Sequence, residues 1–529
     1  MLDRLNQTTR FIIFFVVLVG FFAVYDRYVM QPQIKAREAV AQQQNQAEAN
    51  TSPNAAPIVS KPTSIEAPKT PAPSDDTLVK VKTAIGELTI DELGRVSQAA
   101  LTEDVFKGDK DDFTLLFDQQ RARALEVRFA DRALNAQAFQ TAYSASEAFV
   151  DASQNAADLK LTQNLSGLTI VKELRFYPDG HYDLKTRLSA ETDYFITPGF
   201  HPTAASDPMT VQGALVHTQN GTVEAIEDGE AKDGEVFSGA KMVSAFDRYY
   251  ASLFFNYEAP INVVLSSVDE ALPLAFVQAR GDLALSGYIG PKYVDRLRAI
   301  HPELTAAVEY GFFTFLSKPL FAVLEWIYSL IPSWGWSIVI FTLLVKIVLF
   351  PLSHKGMVSM SKLKDLAPKM KELQERYKDD KQKLQLHMME LYKKHGANPL
   401  GGCLPLLLQI PIFFAIYRVL LNAIELKGAQ WLYIGDLSMK DPFFILPILM
   451  GATMWFQQRI TPSNFTDPMQ AKLFKWLPVI FTVFFLFFPA GLVLYWLMNN
   501  IVSIAQQWFV NRQMERAKPP HKEAQHGNN

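Results

Sequence analysis

The chain has 529 residues, 49% of them hydrophobic and 20% charged, distributed in blocks that exclude one globular domain of uniform character. Its 51 basic and 54 acidic residues nearly cancel, so net charge gives no attraction for nucleic acid and no direct nucleic-acid function is expected. A single cysteine, Cys403, excludes an intramolecular disulfide and a cysteine-rich metal site, and no phosphate-cradling glycine motif joins a strand to a helix. No cofactor, metal or catalytic residue is expected.

The first element is the apolar run FIIFFVVLVGFFAVY after the polar head MLDRLNQTTR. Asp26 and Arg27 follow it directly and the small-residue triplet AVA comes only at 39–41, so residues 1–30 read as an uncleaved signal anchor. Residues 31–76, rich in Gln, Ala, Pro and Asn, cannot bury enough apolar surface to offset chain entropy and read as a disordered linker. Residues 77–300 alternate apolar and polar positions. Within them LTIVKELRFYPDGHYDLKTRL has two alternating runs joined by a Pro-Asp-Gly turn, which predicts a β-hairpin inside a large soluble β-sandwich domain.

Helical spacing returns next. FFTFLSKPLFAVLEWIYSLIPSWG has Trp326 and Trp334 near its ends and Lys318, Pro319 and Glu325 within it, so residues 301–335 are placed flat in the membrane interface. Runs long enough to span follow at 336–354 (the second transmembrane helix) and, between 399 and 512, at 399–424, 441–458, 473–488 and 490–511. Counting the anchor, the chain is expected to be a six-helix membrane protein.

The segment 355–398 between the second and third spans is rich in lysine, while Arg4 and Arg10 precede the anchor and Arg512, Arg516, Lys518 and Lys522 close the last span. By the positive-inside rule both termini, the tail at 513–529 and the lysine-rich segment are cytoplasmic, and the β-domain lies on the other side. Apolar residues at helical spacing on either side of Asp379-Asp380 predict a cytoplasmic helical hairpin. Its methionines, Met357, Met360, Met370, Met388 and Met389, fit either an adaptable docking surface or glue between its two helices.

Lys346 stands inside the second span. It lies about 15 Å along the helix from Trp336 and about 13 Å from Lys355, near mid-membrane. A centred lysine costs about 3 kcal/mol on insertion scales, and the runs 336–354, 399–424, 442–458 and 473–511 contain no Asp or Glu to pair with it. Neutral polar groups do occur at comparable depth: Gln409, Thr482 and Ser503, with Asn499, Ser503 and Gln506 on one helical face and Trp496 one turn before them. Two arrangements satisfy the ammonium: a wet cavity open to the cytoplasm, or snorkelling along its own helix toward the inner headgroups.

These residues carry a family resemblance. NPLGGCLPLLLQIPIFFAIY at 398–417, DPFFILPILMGATMWFQQ at 441–458, TDPMQAKLFKWLPVIFTVFFLFFPAGLVLYW at 466–496 and a cation in the second span resemble the YidC/Oxa/Alb family of membrane protein insertases, in its Gram-negative form. The resemblance implies a bacterial inner-membrane protein that inserts and helps fold nascent membrane proteins without ATP hydrolysis. Its partners would be nascent clients, the lipid bilayer, the Sec translocon and the ribosome. It implies a hydrophilic groove with the family cation at Lys346, a groove threonine at Thr342 and a functional aromatic at Trp496. Here lysine replaces the family's usual arginine and tryptophan its usual tyrosine, which implies weaker tolerance of a dry groove because lysine loses its proton more readily. The competing reading is a channel or secondary transporter, which calls for intramembrane acidic residues or a continuous polar path.

Overall fold

The computed structural model describes residues 77–106, 113–117, 121–205, 211–269, 271–308, 310, 313–378, 380–395, 404–460 and 468–516. The expected anchor at 1–30, the linker at 31–76, Cys403, Asp379 and the tail from 517 lie outside the described residues.

Strand alternation in the sequence becomes three sheets. The largest has nine strands in the spatial order Val223–Glu227, Gly213–His217, Met242–Phe246, Tyr250–Phe255, Leu283–Pro291, His181–Leu188, Leu168–Phe176, Ala157–Leu165 and Ser144–Ala145. A five-stranded sheet built on Ile261–Val268 and Leu272–Arg280 packs across it. A third sheet of five strands, Thr77–Lys82 and Gly86–Asp91 among them, flanks the pair. In Ala157–Leu165 every second side chain, Leu159, Leu161, Gln163 and Leu165, is buried, as the two-residue period of a strand requires. The expected hairpin forms: Tyr182 pairs with Phe176 and the turn closes through the left-handed Gly180, φ +89°. The sandwich expectation is thus extended by a third sheet. The domain is also not wholly β, because helix α1, Arg132–Ala138, starts where the Asp131 carboxylate accepts the amide N–H of Leu134 at 2.8 Å.

The remaining helices are α2 (Val294–Ile300), α3 (Thr314–Leu330), α4 (Trp334–Asp365), α5 (Ala367–Arg376), α6 (Lys381–Lys394), α7 (Leu404–Asn422), α8 (Ile445–Ile460), α9 (Pro468–Phe485) and α10 (Ala490–Arg516). Among the described residues one helix is long and apolar enough to cross a membrane by itself, over Trp334–Ser359; Gln409–Asn422 and Lys475–Phe485 are shorter apolar segments. The second span was expected to end at 354, but α4 runs on through its polar end to Asp365. Lys355 to Asp365 therefore belong to α4 rather than to the first arm of the expected hairpin. Beyond it, α5 and α6 pack through Leu366, Met370, Met388, Leu391 and Tyr392. Met370 and Met388 are thus glue between helices.

The α3 segment, expected flat at the interface, buries Ser317, Phe321, Leu324 and Ile327. The Ser317 hydroxyl donates to the carbonyl of Ala415 in α7 at 3.2 Å, while Phe315, Trp326 and Leu330 remain exposed. Nor does the β-domain hang free of the helices. Arg248, in the turn between Met242–Phe246 and Tyr250–Phe255, donates from Nε to the Leu421 carbonyl at the end of α7 at 2.7 Å. Glu425 accepts the amide N–H of Val294 at 3.2 Å, and Ile424 is part of the β-domain's own apolar core.

Candidate functional site

Around the bundle, side chains that a water-soluble protein would bury are exposed: Ile347 and Val348 on α4, Ile448 and Trp455 on α8, Val479, Ile480, Val483 and Phe484 on α9, Trp508 and Phe509 on α10. Surface of this extent and character needs hydrocarbon around it.

The polar residues inside that apolar shell converge. Lys346 is 6% exposed, and its Nζ donates to Ser503 Oγ at 2.8 Å. The Ser503 hydroxyl donates in turn to the Asn499 carbonyl at 2.7 Å. Asn499 Oδ1 accepts from Gln409 Nε2 at 3.0 Å. One ladder of hydrogen bonds thus ties α4, α10 and α7 together. Gln506 Nε2 adds a bond to the Lys346 carbonyl at 3.3 Å, and Asn500 reaches Thr453 Oγ1 on α8 at 3.4 Å. Helical geometry explains the convergence, because Asn499, Ser503 and Gln506 are spaced four and three apart and so share one face of α10, which meets α7 at Asn499 and α4 at Ser503 and Gln506.

Six residues were singled out from the sequence. Lys346, Ser503, Asn499 and Gln409 join the ladder directly. Thr342 is 1% exposed one turn from Lys346, but its hydroxyl bonds the Ile338 carbonyl of its own helix at 2.7 Å, so no hydrogen bond joins it to the ladder. Trp496 closes the β-domain end of the column. Its ring meets Phe413 edge-on at 4.6 Å between centroids and lies 5.0 Å from that of Phe485.

The ammonium does not snorkel: it points across to α10. Nor is it without a partner, as the missing acidic residues suggested. Among the described residues that partner is a hydroxyl, which satisfies one N–H donor without neutralising the charge. The buried Asn500 and Gln507, at 4% and 5% exposure, were missed. They continue the stripe Trp496, Asn500, Ser503, Gln507 at spacings of four, three and four, a pattern present in the sequence. Gly451 permits close approach of α8 and α9, for a side chain there would collide with the Thr482 hydroxyl.

Fold and site together define an integral membrane protein with a β-rich domain outside the bilayer and a buried polar ladder within its bundle. The model of the YidC periplasmic domain matches residues 78–323, and that of the 60Kd inner membrane protein matches residues 326–518. The membrane protein insertase YidC of Wolinella succinogenes is 49% identical over 522 residues, covering 98% of this chain and 97% of that protein. The Campylobacter jejuni protein of the same name is 48% identical, with 98% of each chain covered. That of Helicobacter pylori strain 26695 is 43% identical over 98% of this chain and 99% of its own. The chain belongs to the YidC family of membrane protein insertases, inner-membrane proteins with a periplasmic domain.

Proposed function

We propose that the ladder on α4, α7 and α10 lines a hydrophilic groove, open to the cytoplasm, that receives the polar segment of a client membrane protein during insertion. The anchor together with α4, α7, α8, α9 and α10 makes six spans, with both termini and the α5–α6 hairpin cytoplasmic and the β-domain periplasmic. The observation that carries this reading is the buried Lys346 ammonium held by the neutral Ser503. Its uncompensated charge attracts an acidic residue in the client's tail. Among the described residues one of its three N–H donors is engaged, which leaves two for water or for that residue.

A wet half-membrane pocket shortens the apolar barrier that a polar tail crosses, and burial of the client's own apolar helix in lipid drives the step without a nucleotide. Trp496, Phe413 and Phe485 seal the column toward the periplasmic side. The α5–α6 hairpin offers first contact to a nascent chain or ribosome, and cooperation with the Sec translocon accords with the family.

The test is water accessibility. In a chain with Cys403 replaced by serine, cysteines placed singly at Thr342, Lys346, Gln409 and Ser503 should react with a membrane-impermeant thiol reagent added from the cytoplasmic side. Unreactive positions would show a dry bundle and end the groove reading.

A further inference from the structure

The cytoplasmic ends of α4 and α10 hold a cluster of cations outside the ladder. Lys346 meets Ser503, the Phe350 and Phe509 rings lie 6.4 Å apart, and His354 Nε2 and Gln513 Oε1 are 3.1 Å apart. The contacts advance in step along both helices, so α4 and α10 run parallel with a shared seam. In a parallel pair, the positions just after the seam residues on one helix and just before them on the other lie on the same side. On α4 these are Ile347, Pro351 and Lys355; on α10 they are Val502, Trp508 and Arg512, with Arg516 one turn further.

All but the half-buried Val502 are exposed. Apolar groups come first along both helices, with Ile347 71% and Trp508 55% exposed, and cations follow. Lys355 follows the His354–Gln513 contact by one residue and Arg512 precedes it by one, so the two cations lie within about 3 Å of one level along the helices. The Arg512 guanidinium sits 4.3 Å from the centroid of the Trp508 ring. Among the described residues no carboxylate lies within ion-pair distance of Lys355, Arg512 or Arg516; Glu515 is the acidic residue of that last turn.

We infer that this face is a seat for an anionic glycerophospholipid. Its phosphate lies between Lys355 and Arg512, and its acyl chains lie along Ile347, Trp508 and Phe509. Apolar surface leading directly into paired cations at one depth matches a lipid, whose charge and chains are joined at that spacing. The inference rests on the orientation proposed above, in which these helix ends reach the cytoplasmic headgroups. A lipid bound there bridges the helices that carry Lys346 and Ser503, so it braces the ladder from behind.

Full-length protein in phosphatidylcholine vesicles, doped with acyl-brominated phosphatidylglycerol or an equal amount of acyl-brominated phosphatidylcholine, tests this by quenching of tryptophan emission. The brominated phosphatidylglycerol should quench several-fold more at equal content. Trp508→Phe should abolish most of that excess. Lys355→Gln with Arg512→Gln should bring the two lipids level while circular dichroism and melting temperature stay unchanged. Equal quenching by both lipids in the wild-type protein, or an excess that survives Trp508→Phe, overturns the seat. Relief of quenching by added inorganic phosphate would also overturn it, by making a free anion the ligand. A cysteine replacing Arg516, labelled in right-side-out and in inverted vesicles, reads the orientation separately; labelling from the periplasmic side overturns the orientation and leaves the quenching result to stand.

Discussion

Replacing Lys346 with methionine removes the ammonium while keeping a side chain of similar length. The fold should tolerate it: Ser503 loses one incoming hydrogen bond of 2.8 Å but keeps its own donor on the Asn499 carbonyl at 2.7 Å, so the net change stays near 1 kcal/mol. The effect on a client is larger. A client carboxylate about 4 Å from the ammonium gains about 4 kcal/mol at an effective dielectric constant of 20, and about 1 kcal/mol in bulk water.

A half-wet groove falls between these limits, at roughly 1–2 kcal/mol, or a factor of about 5 to 30 in rate if the contact is made at the barrier. Initial insertion rates into proteoliposomes, for a single-span client with an acidic tail and for the same client with Asn and Gln in place of its acids, measure the factor. Lys346→Met should slow the acidic client by that factor and the neutral one by less than about twofold. Lys346→Arg should keep the wild-type preference, and Lys346→Glu should slow the acidic client most. Equal rates for the Glu and Arg variants, or equal slowing of both clients by Lys346→Met, would refute electrostatic attraction.

Three further outcomes follow from the geometry. Lys172 is fully buried in the β-domain, its Nζ on the carbonyls of Gly94 and Leu125 at 2.9 and 2.8 Å, and burial lowers its pKa to about 7. Between that value and the usual lysine range the unfolded chain binds the extra proton, so melting temperature should rise as pH goes from 7 toward 10, and Lys172→Met should flatten the rise. Arg248→Ala removes a buried charged donor from the Leu421 carbonyl and should cost about 1.5–3 kcal/mol; unchanged resistance of the joint to proteolysis would argue against this. Gly451→Val drives a methyl group into the Thr482 hydroxyl, so it should separate α8 from α9 and reduce the yield of folded protein, whereas Gly451→Ala in a Thr482→Ala background should recover most of it.

How much was legible in the sequence depended on how local the signal was. Alternation along Leu168–Phe176 and His181–Leu188 and the Pro-Asp-Gly turn fix a hairpin through nearest-neighbour geometry, and the strands appear as read. Lys346 stood out because a cation in an apolar run is costly wherever its helix packs. Ser503, 157 residues away, stood out only as one of several polar groups at that depth, because only the packing of α4 against α10 decides which of them meets the ammonium. The end of α4 was misjudged because hydropathy marks where lipid contact stops, not where the helix stops. Thr342, offered by family likeness, bonds its own helix. The joint between Arg248 and α7 carried no local pattern at all, because an arginine in a polar turn is ordinary until the fold sets it against a carbonyl.

That joint changes what the large domain can be. With Ile424 buried among its strands and Glu425 held by Val294, the domain is moored to the rim of the bundle, and its sheets keep one height and one heading above the bilayer. Whatever docks on it is therefore delivered to a fixed bearing over α7. Cutting the chain at residue 300 would uncover the apolar side chains among which Ile424 is packed.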